Sequence, residues 1–523
     1  MKIIFLLFII IPIVTITGNA QTGSKTTYLN VLEEIAVKEH LELSYSPDLV
    51  SLSDSTDFSF SANIDSCLAQ LQNLLNSKIT QTNTHLIITS KIPAFIHLQG
   101  KVVDAETGEF LPYANILIEK AGTGTITNTN GEFDFKIQGR FAGSLALFSF
   151  LGYEHNKINI TNSDDESLVI KMQPRPYTLS DIYVLPSGTE AVDIVKRAVK
   201  NIKRNYAHTT SQMEAFYRNT NYRDTVASQL IEAALLIEDK GINKPTETTR
   251  IQIQEIRRST NYLVPRSKKE EGFITAMDKY FGHRNMIYKS YSNAVRSYRS
   301  DWWYSPLTDY ENFLYEFAGF EWLDSIKVYK IKFIYNVLWP DGTRASESKN
   351  SESAGYIYIN SKDWAILKIE SWLKFFGEHS KKFSGKEESI LSKSETTYQK
   401  INGKYFLKYK RGTTSPNGKF MIYKNPEALE NEKIVKERQL AGYVLLISKV
   451  VTNKKEMDKI RYREKLDREE NSYKTVYPYH PEFWKDFNIL KENPLEEKFI
   501  QEMEWEKSLD IQFEENSSNH AEN

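Results

Sequence analysis

Two hydrophobic periods alternate along the chain, one near 3.6 residues and one of two, and their order divides it into segments. "YLNVLEEIAVKEHL", from Tyr28, puts Leu29, Leu32, Ile35 and Ala36 on one helical face. "LELSYS" follows with strand alternation. "SFSANIDSCLAQLQNLLNS" gives a short strand and a helix with Leu68, Leu71, Leu74 and Leu75 inward, and "KITQTNTHLIITS" reads as a strand pair around a Thr-Asn turn. Residues 27–92 are therefore expected to form a small α+β domain. Residues 97–172 break into short strands punctuated by Gly, Asn and Asp, the pattern of a β-sandwich. Residues 173–185, "QPRPYTLSDIYVL", carry two prolines and read as an extended linker.

The remainder, 186–510, opens with a helix whose inner face is Ala191, Ile194, Ala198 and Ile202 and whose Lys196, Arg197, Lys200, Lys203 and Arg204 read as a solvated face. Long alternating strands follow, among them "SQMEAFYRNTNY", "SQLIEAALLIED" and "AGYVLLISKVV", so the expected architecture is a large antiparallel meander sheet with a helix across its open face. An aromatic-rich insertion from Asp278 to about Phe317 is expected to cover that sheet. The tail reads as charged helices and a turn-rich segment, with 511–523 expected to be disordered. The fold class is thus multidomain and mainly β with α+β: a small α+β domain, a sandwich, then a large β meander with helices.

Turn chemistry refines this. In "AGTGTITNTNGEFDF", residues 121–135, no Lys follows Gly131 as a phosphate loop requires, and the acids Glu132 and Asp134 come after the glycine, unlike a calcium loop. The stretch reads as a hairpin with Asn130-Gly131 in a type I′ turn and Phe133 and Phe135 inward. Asn402-Gly403 marks a second tight hairpin, and Asp341-Gly342 a further turn.

Composition changes the picture at the N-terminus. "MKIIFLLFIIIPIVTITGNAQ" has one Lys before an apolar run and small residues at Gly18 and Ala20, the pattern of a secretory leader cleaved after residue 20. No later run is long enough for a membrane span, and the net charge of −1 provides no global field for nucleic acid. Cys67 is the one cysteine, placed in a helix as a small buried hydrophobe. The 523 residues contain no nucleophile elbow, HExxH, CxxC or dinucleotide-binding glycine motif, so no catalytic, cofactor-binding or metal residue is assigned and no cofactor is expected. His283, His379 and His480 are isolated and read as surface or hydrogen-bonded groups. Trp302, Trp303 and Tyr304 in "SDWWYSP" are the candidate ligand contact, through stacking on a sugar or gripping an apolar peptide. Their alternative role is to plug the sheet onto its cover.

Three resemblances add to this reading. The order of helix, "LSYSPDLV", strand, "IDSCLAQLQNLL" and "HLIITS" resembles the secretin and TonB short N-terminal domain, which implies a periplasmic docking module without catalytic residues. "GKVVDAETGEFLPYANILIE", "TNTNGEFDF" and "LGYE" resemble the carboxypeptidase-regulatory-like domain, which implies a transthyretin-like sandwich and not the peptidase. "VLPSGTEAVDIVKRAVKNIKRNY", "AGYIYINSKDWAILKIES" and "HPEFWKDFNIL" resemble Bacteroidetes-type envelope proteins in which the sandwich precedes a domain of unknown function. The large domain is weakly similar to the half-barrel of lipoprotein carriers. Together they imply a non-enzymatic exported protein of the periplasm or outer membrane, with envelope proteins as partners, an outer-membrane barrel or regulatory protein among them. The competing reading is a hydrolase of glycan or peptide with its site in the aromatic insertion.

Overall fold

The computed structural model describes residues 26–45, 50–56, 58, 64–75, 77–90, 95–160, 167–175, 190–223, 226–262, 287–288, 290–298, 305–323, 326–338, 342–384, 387–414, 422–424, 434–436, 439–460, 478–492 and 494–518. They belong to two compact units, Met1–Ala94 and Phe95–Asn523.

The first unit runs β1 (Thr26–Thr27), α1 (Tyr28–Lys38), β2 (Glu42–Tyr45), β3 (Ser55–Thr56), α2 (Ile64–Leu74), β4 (Ser77–Gln81) and β5 (His85–Ser90). Thr27 Oγ1 caps α1 by accepting from the Asn30 amide at 3.3 Å. β5 lies between β2, parallel to it, and β4, antiparallel. Leu32, Ile35, Cys67, Leu71, Leu86 and Ile88 form the core. Leu74 is not inward as expected but 58% exposed. The inward stripe of α2 runs Cys67, Leu71, Leu75 at spacings of four, which leaves position 74 to one side.

The second unit begins with a sandwich: β6 (Phe95–Asp104), β7 (Asn115–Ile118), β8 (Thr123–Ile126), β9 (Glu132–Gln138), β10 (Leu145–Ser149), β11 (Asn156–Asn159) and β12 (Leu168–Met172). One sheet has the order β12-β6-β9, the other β11-β10-β7-β8, and Phe133, Phe135 and Phe148 pack between them. The expected hairpin at 121–135 is therefore corrected. β8 and β9 belong to opposite sheets, and only Gly131 (φ 69°) has the positive φ that a type I′ turn needs at both central positions. Asn128 makes the reversal instead, its Oδ1 accepting from the amides of Asn130 and Glu132, both at 2.9 Å. A Cβ on Gly131 would stand 2.4 Å from the Val102 carbonyl oxygen, so Gly131→Ala is expected to destabilise by about 1–3 kcal/mol, read by thermal unfolding.

The large sheet is built from β13 (Ser211–Arg223), β14 (Val226–Asp239), β15 (Arg250–Arg258), β16 (Phe313–Leu323), β17 (Ile326–Tyr335), β18 (Ser351–Asn360), β19 (Ile366–Phe376), β20 (Glu388–Ile401), β21 (Lys404–Thr414) and β24 (Gln439–Val451), while β22 (Ile422–Lys424) and β23 (Ile434–Lys436) pair apart from it. Its order is β15-β14-β13-β24-β21-β20-β19-β18-β17-β16, antiparallel throughout and curled into a half-barrel. Asn402 (φ 49°) and Gly403 (φ 78°) form the type I′ turn between β20 and β21, as the sequence indicates.

Both faces of this sheet are covered. On one, α3 (Ala191–Asn205) packs Ile194, Val195, Ala198 and Ile202 against Tyr217, Ala233, Leu235 and Ile357, joined by Ile287, Tyr291, Val295 and Leu307 of the aromatic insertion. A short helix, α4 (Gly377–Ser384), follows β19. On the other face lie α5 (Pro481–Asp486), α6 (Pro494–Met503) and α7 (Leu509–Ser518). α7 corrects the expected disorder from 511. Leu509 and Phe513 are buried with Phe499, Met503 and Leu230, and the Gln512 amide donates to the carbonyls of Met503 and Lys507, both at 2.7 Å. Its hydrophobes are few and scattered among acids, which hides them in the sequence.

The sandwich is not a separate bead. Thr123 of β8 pairs with Lys449 of β24, the Thr123 hydroxyl donates to the Ser448 carbonyl at 2.8 Å, and the Val450 amide to Gly122 at 2.9 Å. At the far end of the large sheet the Gly152 amide donates to the Trp322 carbonyl at 2.5 Å, with the Arg175 guanidinium 4.2 Å over the Trp322 ring. The sandwich thus touches β24 and also β16, the terminal strand.

Candidate ligand pocket

Directly opposed residues of neighbouring strands share a face, and one such row crosses the whole half-barrel. It runs Glu316, Lys332, Tyr356, Glu370 and Glu395 from β16 to β20. It continues as Arg411, Val444, Arg218, Glu232 and Arg257 from β21 through β24 to β15. Burying Arg218, Glu232 and Glu395 is tolerable because neighbours neutralise one another. Arg218, 3% exposed, donates to Glu232 at 2.6 Å and Glu492 at 2.7 Å and lies 3.4 Å from Glu496, while Arg257 pairs with Glu232 at 2.5 Å. The adjacent acids Glu370 and Glu395 are bridged by Lys368 at 2.7 and 3.0 Å. Burial alone would raise the Glu395 carboxyl, but the charges of Lys368 and Arg411 outweigh it and hold it at about 2. Burial likewise works against Glu232, whose carboxyl is nonetheless lowered by Arg257 and Arg218.

Over the middle of this row lies a pocket of about 520 Å³, in the range of small-molecule sites. Its floor is the segment Glu395–Arg411–Val444–Arg218 and the next row, Thr413–Gly442–Thr220, which the exposed Lys393 extends to the rim. Gly442 and the two threonines are small, and that makes the hollow. One wall is the sandwich loop bearing Tyr113, Asn128 and Thr129, and the other is Leu490, Lys491 and α6 with Glu496, Lys498 and Phe499. The walls are fixed to each other. The Asn128 amide donates to the Glu492 carbonyl at 2.6 Å, and Asn488 exchanges two bonds with the Lys136 backbone at 2.7 and 2.8 Å, capping edge strand β9. Arg411 stacks 3.6 Å over the Tyr113 ring while its guanidinium donates to Glu395.

Chemically this floor suits binding. A carboxyl held near 2 stays ionised and ion-paired, the reverse of the raised carboxyl that a glycosidase acid needs. No group of three or more His, Cys, Asp or Glu placed to hold a metal occurs among the described residues. The α3 face has a cavity of about 50 Å³ beside Tyr206, Asp239 and Tyr291, room for water rather than a ligand. Arg296 closes it by forking onto Asp239 at 2.8 and 2.9 Å.

The sequence-derived candidates Trp302, Trp303 and Tyr304 lie outside the described residues, as do the leader, residues 176–185 of the linker, residues 186–189 and His283. His480 hydrogen-bonds Glu255 at 2.7 Å on the surface, and Cys67 is buried in α2, both as expected. Sequence reasoning missed Arg218, Arg411, Tyr113 and the tail residues. The available signal was Glu232 in "LIEAALLIED", a lone charge in the middle of an apolar strand, which demands a cationic partner.

A family model for the CarboxypepD_reg-like domain matches residues 98–184, the segment that contains the sandwich. That domain is a non-catalytic, Ig-like one. No curated protein matches the chain. Solved structures similar to it include an outer membrane lipoprotein-sorting protein domain from Vibrio parahaemolyticus, at 10% identity and TM-score 0.21, covering 52% of this chain and 96% of that one. A DUF1329 family protein from Desulfovibrio piger has 10% identity and TM-score 0.18, covering 50% and 94%. A membrane-associated protein of unknown function from Bacteroides fragilis has 10% identity and TM-score 0.13, covering 69% and 100%. No helix among the described residues is long and apolar enough to cross a membrane.

Proposed function

We propose that this protein is exported to the cell envelope and acts there as a non-catalytic binding protein, with the pocket beneath Tyr113 as its ligand site and residues 27–92 as a docking element for an envelope partner. The observation that carries the reading is the pocket itself. Three parts of the chain converge on it, the sandwich, the sheet and the tail, and its floor charges are locked into pairs that preorganise a receptor surface. The leader pattern of residues 1–20 supports export. The resemblance of residues 27–92 to a periplasmic docking domain supports the partner.

The test is native mass spectrometry of the mature protein purified from the envelope fraction, beside a variant with the hollow filled, Thr413→Trp. Thr413 is exposed at the pocket floor, so the variant is expected to fold. A bound small molecule present on the wild type and absent from the variant is the expected result. A wild type that carries no such molecule, and that no compound of a metabolite panel stabilises against heat, removes the pocket as a ligand site. Export is checked separately, by the N-terminal sequence of the mature chain beginning at Gln21.

A further inference from the structure

The charges of the pocket are not arranged evenly. Those on the floor are consumed within the protein: Arg411 by Glu395, and Arg218 by Glu232, Glu492 and Glu496. Those at the mouth are not. Lys393 is exposed, and no hydrogen bond or ion pair engages it among the described residues. Lys491 is 3.9 Å from Glu132, but Glu132 is held more closely by Lys101 and Asn128, both at 3.2 Å. Lys498, 72% exposed, is 3.7 Å from Glu502, whose other oxygen accepts from the Ala227 amide at 3.3 Å. Three ammonium groups, from β20, α6 and the loop before α6, therefore surround the opening with their counter-charges shared or missing. Inside, the surface changes character. Phe499 is buried with Tyr222 edge-on at 4.8 Å, and Val444 and Leu490 are buried beside them.

Cations at the mouth beside an apolar wall define an amphipathic site. We propose that the ligand is an anionic amphiphile, its phosphate or carboxylate held by Lys393, Lys491 and Lys498 and its apolar body laid against Tyr222, Phe499 and Leu490. This rests on the pocket being the ligand site. An anion at the mouth gains charge-assisted hydrogen bonds, and the body gains burial against rings already fixed by their neighbours.

The experiment is calorimetric titration of the full mature chain with octyl phosphate below its micellar concentration, with octanol, with inorganic phosphate, and with vesicles of phosphatidylglycerol or of phosphatidylcholine. Octyl phosphate is expected to bind saturably, octanol about tenfold or more weakly, and inorganic phosphate without saturation. Lys393→Gln with Lys498→Gln is expected to weaken octyl phosphate about tenfold, to leave octanol unchanged and to leave the melting temperature unchanged. Equal affinity for octanol and octyl phosphate overturns the anionic class while the pocket stands as a site. Failure of both to bind, with wild type and Thr413→Trp indistinguishable, overturns the site as well. Binding to phosphatidylglycerol vesicles without binding of monomeric octyl phosphate also overturns the proposal, because the lysines would then contact a bilayer surface and not the head of an inserted molecule.

Discussion

Replacing Lys408 with methionine raises stability at pH 7 by on the order of 4 kcal/mol, and the gain closes as the pH climbs towards 10.5. Lys408 is the extra residue of a bulge in β21: Tyr409 faces Thr397 and Leu407 faces Tyr398, with nothing opposite position 408. The bulge turns its side chain into the joint between sheet and sandwich, where Nζ is 3.1 Å from the place a Cβ on Gly124 would occupy. The amine is fully buried and has no hydrogen-bond partner among the described residues, and burial pushes it down to about 7 from 10.5. The unfolded chain therefore binds more protons between pH 7 and 10.5, so stability climbs with pH across that window and the penalty is full below pH 7. Methionine has a similar length and no charge to desolvate, and should erase this slope. Urea unfolding of both proteins from pH 6 to 10 measures it. Parallel profiles would mean that the amine is not held neutral in the fold.

Glu232→Ala works in the opposite direction, with an expected loss of about 3–5 kcal/mol. Glu232 is 1% exposed and lies between Arg218 and Arg257, so its removal leaves the buried Arg218 and the part-buried Arg257 guanidinium short of a counter-charge. Replacing Arg218, Glu232 and Arg257 together by Met, Leu and Met should return part of the loss, since an apolar triad needs no internal pairing, while Glu492 and Glu496 give up Arg218. The tail should loosen first, because Arg218 also holds Glu492 and Arg257 stacks 4.4 Å over Trp484 of α5. Urea midpoints with limited proteolysis after residue 478 read both effects. A single-variant loss below about 1 kcal/mol would show that the triad is not desolvated. The lowered carboxyls also set an acid limit. The stability contributed by Glu395 is complete above its ordinary 4.5 and disappears as pH falls through that value towards 2.

What was legible in the sequence was local. Apolar periodicity located α1, α3 and the long strands, and Asn402-Gly403 announced its own turn, because positive φ at two successive positions admits few residue types. What was not legible depended on distant partners. Asn130-Gly131 looks like the same signal, yet β8 and β9 separate into two sheets because β6 and β7 offer each a better edge. The pocket could not be read either. Its charged residues are single interruptions in alternating strands, and only the register of four strands, β13, β24, β21 and β20, brings Arg218 from one part of the chain into line with Arg411 and Glu395 from another. The tail helices are short and acidic, with too few hydrophobes to advertise that they cover a sheet.

The attachment of the sandwich to both β24 and β16 carries a consequence for the order in which the chain can assemble. β8 is synthesised more than three hundred residues before β24, its second partner strand, with Thr123 waiting for Ser448 and Lys449, and β13 precedes β24 by more than two hundred. Contacts of such separation form late and slowly. Until residue 451 has emerged, β8 and β13 each present an unpaired edge, the usual template for association between chains. A chain of this topology closes only when its last strand arrives. Truncations before β24 should therefore aggregate, and not merely lose a domain.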